Sequence, residues 1–299
     1  MNVHIGIPRA MLYHEFGSLW TSFFENLGVP VTVSKETTQQ ILNRGTMLAI
    51  DESCLPLKIY LGHVESLLPH CTHLFIPRIA SYHPGFFLCA KFAGLPDIVR
   101  NAFNLSPSQL IAPNIENNSL ITELQGIYTT CRSLGLSNTA GYLSYYQAKK
   151  SWKNNFSRPA SGPKVAVVGH SYLLKDTFFC RDILGTLSQR GIQIITPENI
   201  PSKILYQESV ASQSDIYWQL SAKIDGAVAI FSRQPDILGI IIVSSFGCGP
   251  DSLLNEYMEH QILKKSNKPY LILNLDEHTG TAGIVTRIEA FLDLMDWRL

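Results

Sequence analysis

The sequence has little charge and no excess of either sign. Its 24 Lys+Arg balance 24 Asp+Glu over 299 residues, and charged residues make up 16%, against roughly 25% in an ordinary globular domain. Without a basic surplus there is nothing to neutralise a phosphate backbone, which argues against a nucleic-acid partner. No long hydrophobic run occurs either. The longest apolar stretch, Ile237 to Val243, falls far short of the roughly 20 residues of a spanning helix, so no membrane is expected. The N-terminus lacks a basic n-region followed by an apolar h-region, and the expected location is cytoplasmic. Several motifs are missing as well. There is no G-x-x-x-x-G-K-[ST] loop for ATP, no G-x-G-x-x-G dinucleotide fingerprint and no G-x-S-x-G elbow. No Cys-x-x-Cys pair marks a zinc site.

What is present is 45% apolar residue spread throughout, which excludes disorder. Six cysteines stand out: Cys54, Cys71, Cys89, Cys131, Cys180 and Cys248. In a reducing compartment they read as buried thiols or metal ligands rather than disulfides. Low charge and zero net charge favour an oligomer or a face covered by a partner.

The two halves carry the same pattern. Val3 to Pro8, which contains Gly6, reads as a strand leading into a polar turn, then come a helix from about Phe16 to Asn26, a stop at Gly28 and a strand from Val29 to Val33. In the second half, strand Lys164 to Val168, Gly169, helix Thr177 to Gln189, stop Gly191 and strand Ile192 to Ile195 follow in that order. The two glycines of each half are 22 residues apart. Each unit reads as a β-α-β crossover closed by a helix-stop glycine. A strand at Thr46 to Ile50, then Cys54-Leu55-Pro56, helix Leu57 to Leu68 and strand His73 to Ile76 are matched in the second half. The counterparts are strand Ile237 to Val243, Cys248-Gly249-Pro250, helix Asp251 to Lys264 and strand Tyr270 to Leu275.

Proline two residues after cysteine suits the first helical turn, where free N–H groups favour a thiolate. Ser151 to Pro163 reads as a linker, and a long helix from about Gln213 to Phe231 is extra to the second half. The expected fold is α/β: two pseudo-repeated, doubly wound Rossmann-like lobes with mainly parallel sheets. The expected domains are 1–158, carrying Cys54 and Cys89, and 159–299, carrying Cys248 and the Asp276–Gly280 loop.

Ligands bind beyond the carboxyl ends of the strands in such sheets. Cys54, Cys89 and Cys248 are placed there by this reading. The Asp276-Glu277-His278-Thr279-Gly280 loop is the expected counterpart of the loop carrying Cys89. Cys71, Cys131 and Cys180 read as core. Arg9 and Arg78 follow strands and suit an anionic substrate or a solvated turn equally. Glu277 and His278 read as an acid/base pair or as a loop capping the next helix.

Four motifs together resemble one family. They are Ile5-Gly6-Ile7-Pro8-Arg9-Ala10, Asp51-Glu52-Ser53-Cys54-Leu55-Pro56-Leu57-Lys58, Phe246-Gly247-Cys248-Gly249-Pro250-Asp251-Ser252 and Leu275-Asp276-Glu277-His278-Thr279-Gly280. The family is that of the 2-hydroxyacyl-CoA dehydratases, in its CoA enzyme activase-related branch. The resemblance implies an oxygen-sensitive [4Fe-4S] cluster held by Cys54, Cys89 and Cys248. A double-cubane cluster is the alternative carried by some relatives. At Cys89 the family pattern has a following proline where this chain has Ala90, while Lys91, Phe92, Gly94, Leu95, Pro96 and Asp97 continue the match.

The resemblance also implies a separate ATP-dependent activator that delivers a low-potential electron under anaerobic conditions. The substrate in the dehydratases is a 2-hydroxyacyl-CoA thioester, which loses water through a ketyl radical. Glu277 or His278 would be the proton donor there, and Arg9 and Arg78 would meet substrate. A homodimer, or a heterodimer with a related subunit, fits the same picture. A second reading is a non-catalytic iron–sulfur accessory or cluster carrier. A third is a zinc or thiol enzyme, with His278, His170 or His63 as a fourth ligand.

Overall fold

A computed structural model of the chain describes residues 3–115, 119–152, 164–212 and 215–296. The chain divides into two compact units, Met1–Asn154 and Asn155–Leu299. From residue 153 onward the expected linker lies outside the described residues. Among the described residues no helix is long and apolar enough to cross a membrane.

The first unit opens with strand β1 (Ile5–Ile7), helix α1 (Tyr13–Asn26) and strand β2 (Val31–Val33). Gly28 after α1 has φ +71°, the left-handed conformation that a helix stop needs. Helices α2 (Gln39–Leu48) and α3 (Leu55–Leu67) follow as a packed pair. Then come β3 (His73–Phe75), β4 (Arg78–Ile79), α4 (Ala90–Ala102), β5 (Leu110–Ile111) and β6 (Asn114–Ile115). Helices α5 (Leu120–Ser133) and α6 (Asn138–Ser151) complete the unit. Its sheet is parallel in the order β2-β1-β3-β5. Pro77 and Pro113 interrupt the two strands beside each other, because proline gives no N–H to the ladder, and β4 pairs with β6 just beyond them.

The second unit runs β7 (Lys164–Gly169), the short α7 (Ser171–Leu174), α8 (Thr177–Gln189) and β8 (Gln193–Ile195). It continues with α9 (Ser202–Ala211), α10 (Gln219–Arg233), β9 (Ile237–Ser245) and α11 (Gly249–Met258), which passes into a π-helical turn. Strand β10 (Tyr270–Leu275) and α12 (Thr281–Asp296) end it. The parallel sheet order is β10-β9-β7-β8. Strands β7 and β9 are buried almost throughout, as expected of central parallel strands covered on both faces.

Both sheets therefore put the second strand beside the first, the first beside the third and the third beside the fourth. The doubly wound, pseudo-repeated α/β fold is present, but its internal register differs from the sequence reading. Thr46 to Ile50 is not a strand. Thr46 to Leu48 end α2, and Ala49 begins the loop to α3. The side chain of Thr38 caps α2 by accepting from the N–H of Ile41, and Ile41, Leu42 and Gly45 are buried. A short apolar run of this kind carries no period that separates strand from helix. The α2–α3 pair has its counterpart in α9–α10, and the expected helix from about Gln213 begins at Gln219, with α9 ahead of it. Cys54, at the start of α3, thus has no cysteine counterpart. Cys89 and Cys248 correspond instead, each following the third strand of its sheet. The Asp276–Gly280 loop follows the fourth strand and is not the counterpart of the Cys89 loop.

Both helix pairs rest on missing side chains. A Cβ on Gly45 would lie 1.8 Å from the carbonyl oxygen of Lys58, and one on Gly226 would lie 2.0 Å from that of Leu205. A backbone oxygen inside a packed helix pair cannot swing aside. Gly226→Ala should therefore lower stability by about 3 kcal/mol, at the top of the overpacking range. Gly185→Ala, where nothing lies within 4 Å of the added carbon, should instead stabilise α8 by about 0.5–1 kcal/mol. Urea unfolding of both variants measures this, and equal midpoints would refute it.

Candidate metal centre

The second unit gathers a site at the carboxyl ends of β7 and β9, its first and third strands. These are neighbours in the sheet whose connections leave in opposite directions, the switch point where doubly wound sheets bind ligands. His170 follows β7 at the N-cap position of the short α7, and it is 4% exposed. Ser244 and Ser245 end β9, and Gly247, at φ +75°, turns the chain into α11. Cys248 is the N-cap of α11, Pro250 falls in its first turn, and Asp251 lies at its third position, where an acid complements the helix dipole.

Asp251 ties these elements together. It is 3% exposed, its Oδ1 is 2.5 Å from His170 Nε2, and its Oδ2 accepts from the N–H of Ser245 at 3.4 Å. The Tyr172 ring stacks on the imidazole, with centroids 5.0 Å apart. One ligating atom from each of His170, Cys248 and Asp251 lies within 4.8 Å of the others, so the three could hold a metal ion. Two polar atoms here, His170 Nδ1 and Ser245 Oγ, are buried without a hydrogen-bond partner among the described residues. Such orphans are uncommon in folded proteins and call for an explanation.

In the first unit, Cys54 is the N-cap of α3 with Pro56 in its first turn, and Cys89 is the N-cap of α4. All three motif cysteines thus stand at helix N-termini, and none of the three helices has a side-chain cap hydrogen bond. Residues of this kind fit a thiolate-held metal group, because the exposed N–H groups favour negative charge. Of the other cysteines, which read as core in the sequence, Cys131 and Cys180 are buried and Cys71 is only half-buried. Burial pushes the thiol of Cys71 up to about 11 and that of Cys180 up to about 12, and it raises that of Cys131. The sulfur of Cys131 fills the notch at Gly141, 2.3 Å from where a Cβ would lie. None of the six cysteines forms a disulfide.

The remaining sequence-derived residues sit as follows. Arg78 is clamped onto α4, donating to Asp97 at 2.5 Å and to the carbonyl oxygen of Ala93. Arg9 is half-buried, 3.7 Å from Glu36 and over the Tyr13 ring. His278 is exposed at a tight turn in which Asp276 accepts from the N–H of His278 and the hydroxyl of Thr279, and Glu277 is half-buried beside it. The hydrogen bond from Thr279 leads the effects that hold the Asp276 carboxyl below its usual range. His63 is fully buried, with its two ring nitrogens on the hydroxyls of Ser34 and Thr37 at 2.9 and 3.0 Å. Both nitrogens are therefore engaged within the first unit's core, away from any metal role.

Sequence reasoning names His170 only as one of three alternative zinc ligands and misses Asp251. Cys248-x-x-Asp251 places both residues on one turn of a helix, and that spacing is the signal that could have found it. The correspondence of Cys89 with Cys248 is also visible as Phe-x-Cys, in Phe87-Leu88-Cys89 and Phe246-Gly247-Cys248.

Comparison with known proteins gives one family. The model described as the CoA enzyme activase uncharacterised domain matches residues 4–200. No curated protein matches the chain.

Proposed function

Because the chain belongs to the family of the CoA enzyme activase uncharacterised domain, we propose that it is an iron–sulfur redox protein served by a separate ATP-dependent activator. In this proposal Cys54, Cys89 and Cys248 hold a [4Fe-4S] cluster. The observation that carries it is that these three cysteines, and not the other three, are helix N-caps. When bound, the cluster supplies low-potential one-electron chemistry.

The protein's own residues set the conditions for that chemistry. The helix N-termini stabilise thiolate charge. Large apolar side chains stand exposed close to each cysteine in sequence: Met47 and Ile50 before Cys54, Phe87 before Cys89 and Phe246 before Cys248. Such side chains suit a docking surface for the electron donor. Arg9, whose acidic partner is 3.7 Å away, is the arginine assigned to an anionic substrate such as a CoA thioester, and Arg78 is assigned to holding α4. Glu277 and His278 are assigned to proton donation.

The His170–Cys248–Asp251 donor set favours a second reading, a single zinc ion with thiolate and imidazole ligands. One measurement separates the two. Anaerobic purification followed by metal and sulfide analysis should give about four irons and four sulfides per chain. Zinc without sulfide would select the second reading, and a metal-free protein would sink both.

A further inference from the structure

We infer that His170 is a metal ligand beside Cys248, held in place by Asp251 through its other ring nitrogen. This rests on Cys248 ligating a metal, as proposed above. It does not depend on whether that metal is iron in a cluster or a single divalent ion.

An ionised carboxylate only accepts, so Asp251 Oδ1 at 2.5 Å places a proton on His170 Nε2. In the neutral ring Nδ1 then carries the lone pair. That nitrogen belongs to a side chain 4% exposed and has no hydrogen-bond partner among the described residues. Leaving such a group unsatisfied costs about 1–3 kcal/mol, which a bound metal would remove. Metal-ligating histidines characteristically give their second nitrogen to a carboxylate, which fixes tautomer and ring orientation. Here that carboxylate is itself fixed, because its other oxygen takes the N–H of Ser245. Asp251 is thereby spent on positioning, and His170 and Cys248 are left as the donors.

The distances agree. Donors about 2.0 and 2.3 Å from one ion lie within about 4 Å of each other, and one ring nitrogen of His170 lies within 4.8 Å of the Cys248 sulfur. Ser245 Oγ, also buried without a partner, adds a second polar group that a metal-bound water would satisfy. Binding releases the Cys248 thiol proton to solvent and leaves the proton on Nε2 with Asp251.

Cobalt(II) added to the metal-free full-length chain tests this directly. X-ray absorption at the cobalt edge of the unmodified protein should show a sulfur shell together with an imidazole shell, a result that needs no variant to fold. His170→Gln retains an amide donor for Asp251 but offers no imidazole. It should lose the imidazole shell and bind cobalt at least about tenfold more weakly, while keeping the thiolate-to-cobalt absorption. Asp251→Asn should weaken binding about 10- to 100-fold with both shells retained.

A sulfur shell without imidazole, an imidazole shell that survives His170→Gln, or no cobalt binding by the unmodified chain would each overturn the inference. The two proposals fail separately. Absence of iron and sulfide would remove the cluster reading and leave the cobalt result standing. Iron and sulfide with no imidazole shell would do the reverse.

Discussion

Cys248→Ser is expected to fold normally and to lose at least about tenfold in metal affinity, while Cys131→Ser is expected to keep its metal and lose stability. The crossed outcome follows from where each sulfur sits. Cys248 is a helix N-cap, and serine is among the best residues there, so the substitution costs α11 nothing. What it removes is a soft thiolate beside His170 and Asp251, and a hydroxyl is a poor replacement for a thiolate donor. Cys131 is completely buried between α5 and α6, against Gly141. A hydroxyl there must find a partner or forgo one, at about 1–3 kcal/mol. Metal content and urea midpoints measured together on both variants decide the matter. Equal metal in the two would show that Cys248 is not a ligand, and metal lost only from Cys131→Ser would invert the assignment.

The second large effect concerns acid. His63 is expected to make the first unit lose up to about 4 kcal/mol of stability between pH 6.5 and pH 3. Burial, with smaller contributions from His14 and Arg9, pushes the His63 imidazole down to about 3. The unfolded chain takes up its proton near pH 6.5. Between those values the unfolded state holds the extra proton, so stability is full above pH 6.5 and falls as the pH drops toward 3. In the second unit, paired carboxylates give loss of the same sign. Asp236 is one, held below its usual range chiefly by its hydrogen bond from Lys164. The difference between the unmodified chain and His63→Gln isolates the imidazole, since glutamine can still hydrogen-bond to Ser34 or Thr37. Unfolding free energies from pH 3.5 to 7 should show a shallower slope in the variant. Identical slopes would mean that His63 takes up no proton on unfolding.

Elements with strong local punctuation are legible in the residues themselves. Helix α8 and strand β10 fall where the pattern puts them, and Gly28 and Gly191 take the positive φ that their helix-stop role requires. The proline in the first turn places Cys54 and Cys248 at helix starts. Pattern fails at Thr46–Ile50, a short, largely apolar run that reads as a strand and is not one. That single element shifts the whole comparison of the halves, because it pairs Cys54 with Cys248, whereas topology pairs Cys89 with it. The run ends a helix whose Gly45 seats closely against the backbone of α3, a contact that leaves no local periodicity.

Sequence by itself determined the α/β class, the repeated β-α-β openings and the family motifs. These follow from short-range rules: glycine's left-handed backbone, proline's missing N–H, and alternation over a few residues. Tertiary structure alone decided the pairing of His170 with Asp251, 81 residues apart. That contact exists because β7 lies beside β9 in the sheet, so that the residues leaving both strand ends meet at the same edge. Strand order is set by which buried faces pack together over long range, and no local spacing encodes it. The low charge of the chain is matched in the fold by exposed apolar side chains near its cysteine-bearing helix starts.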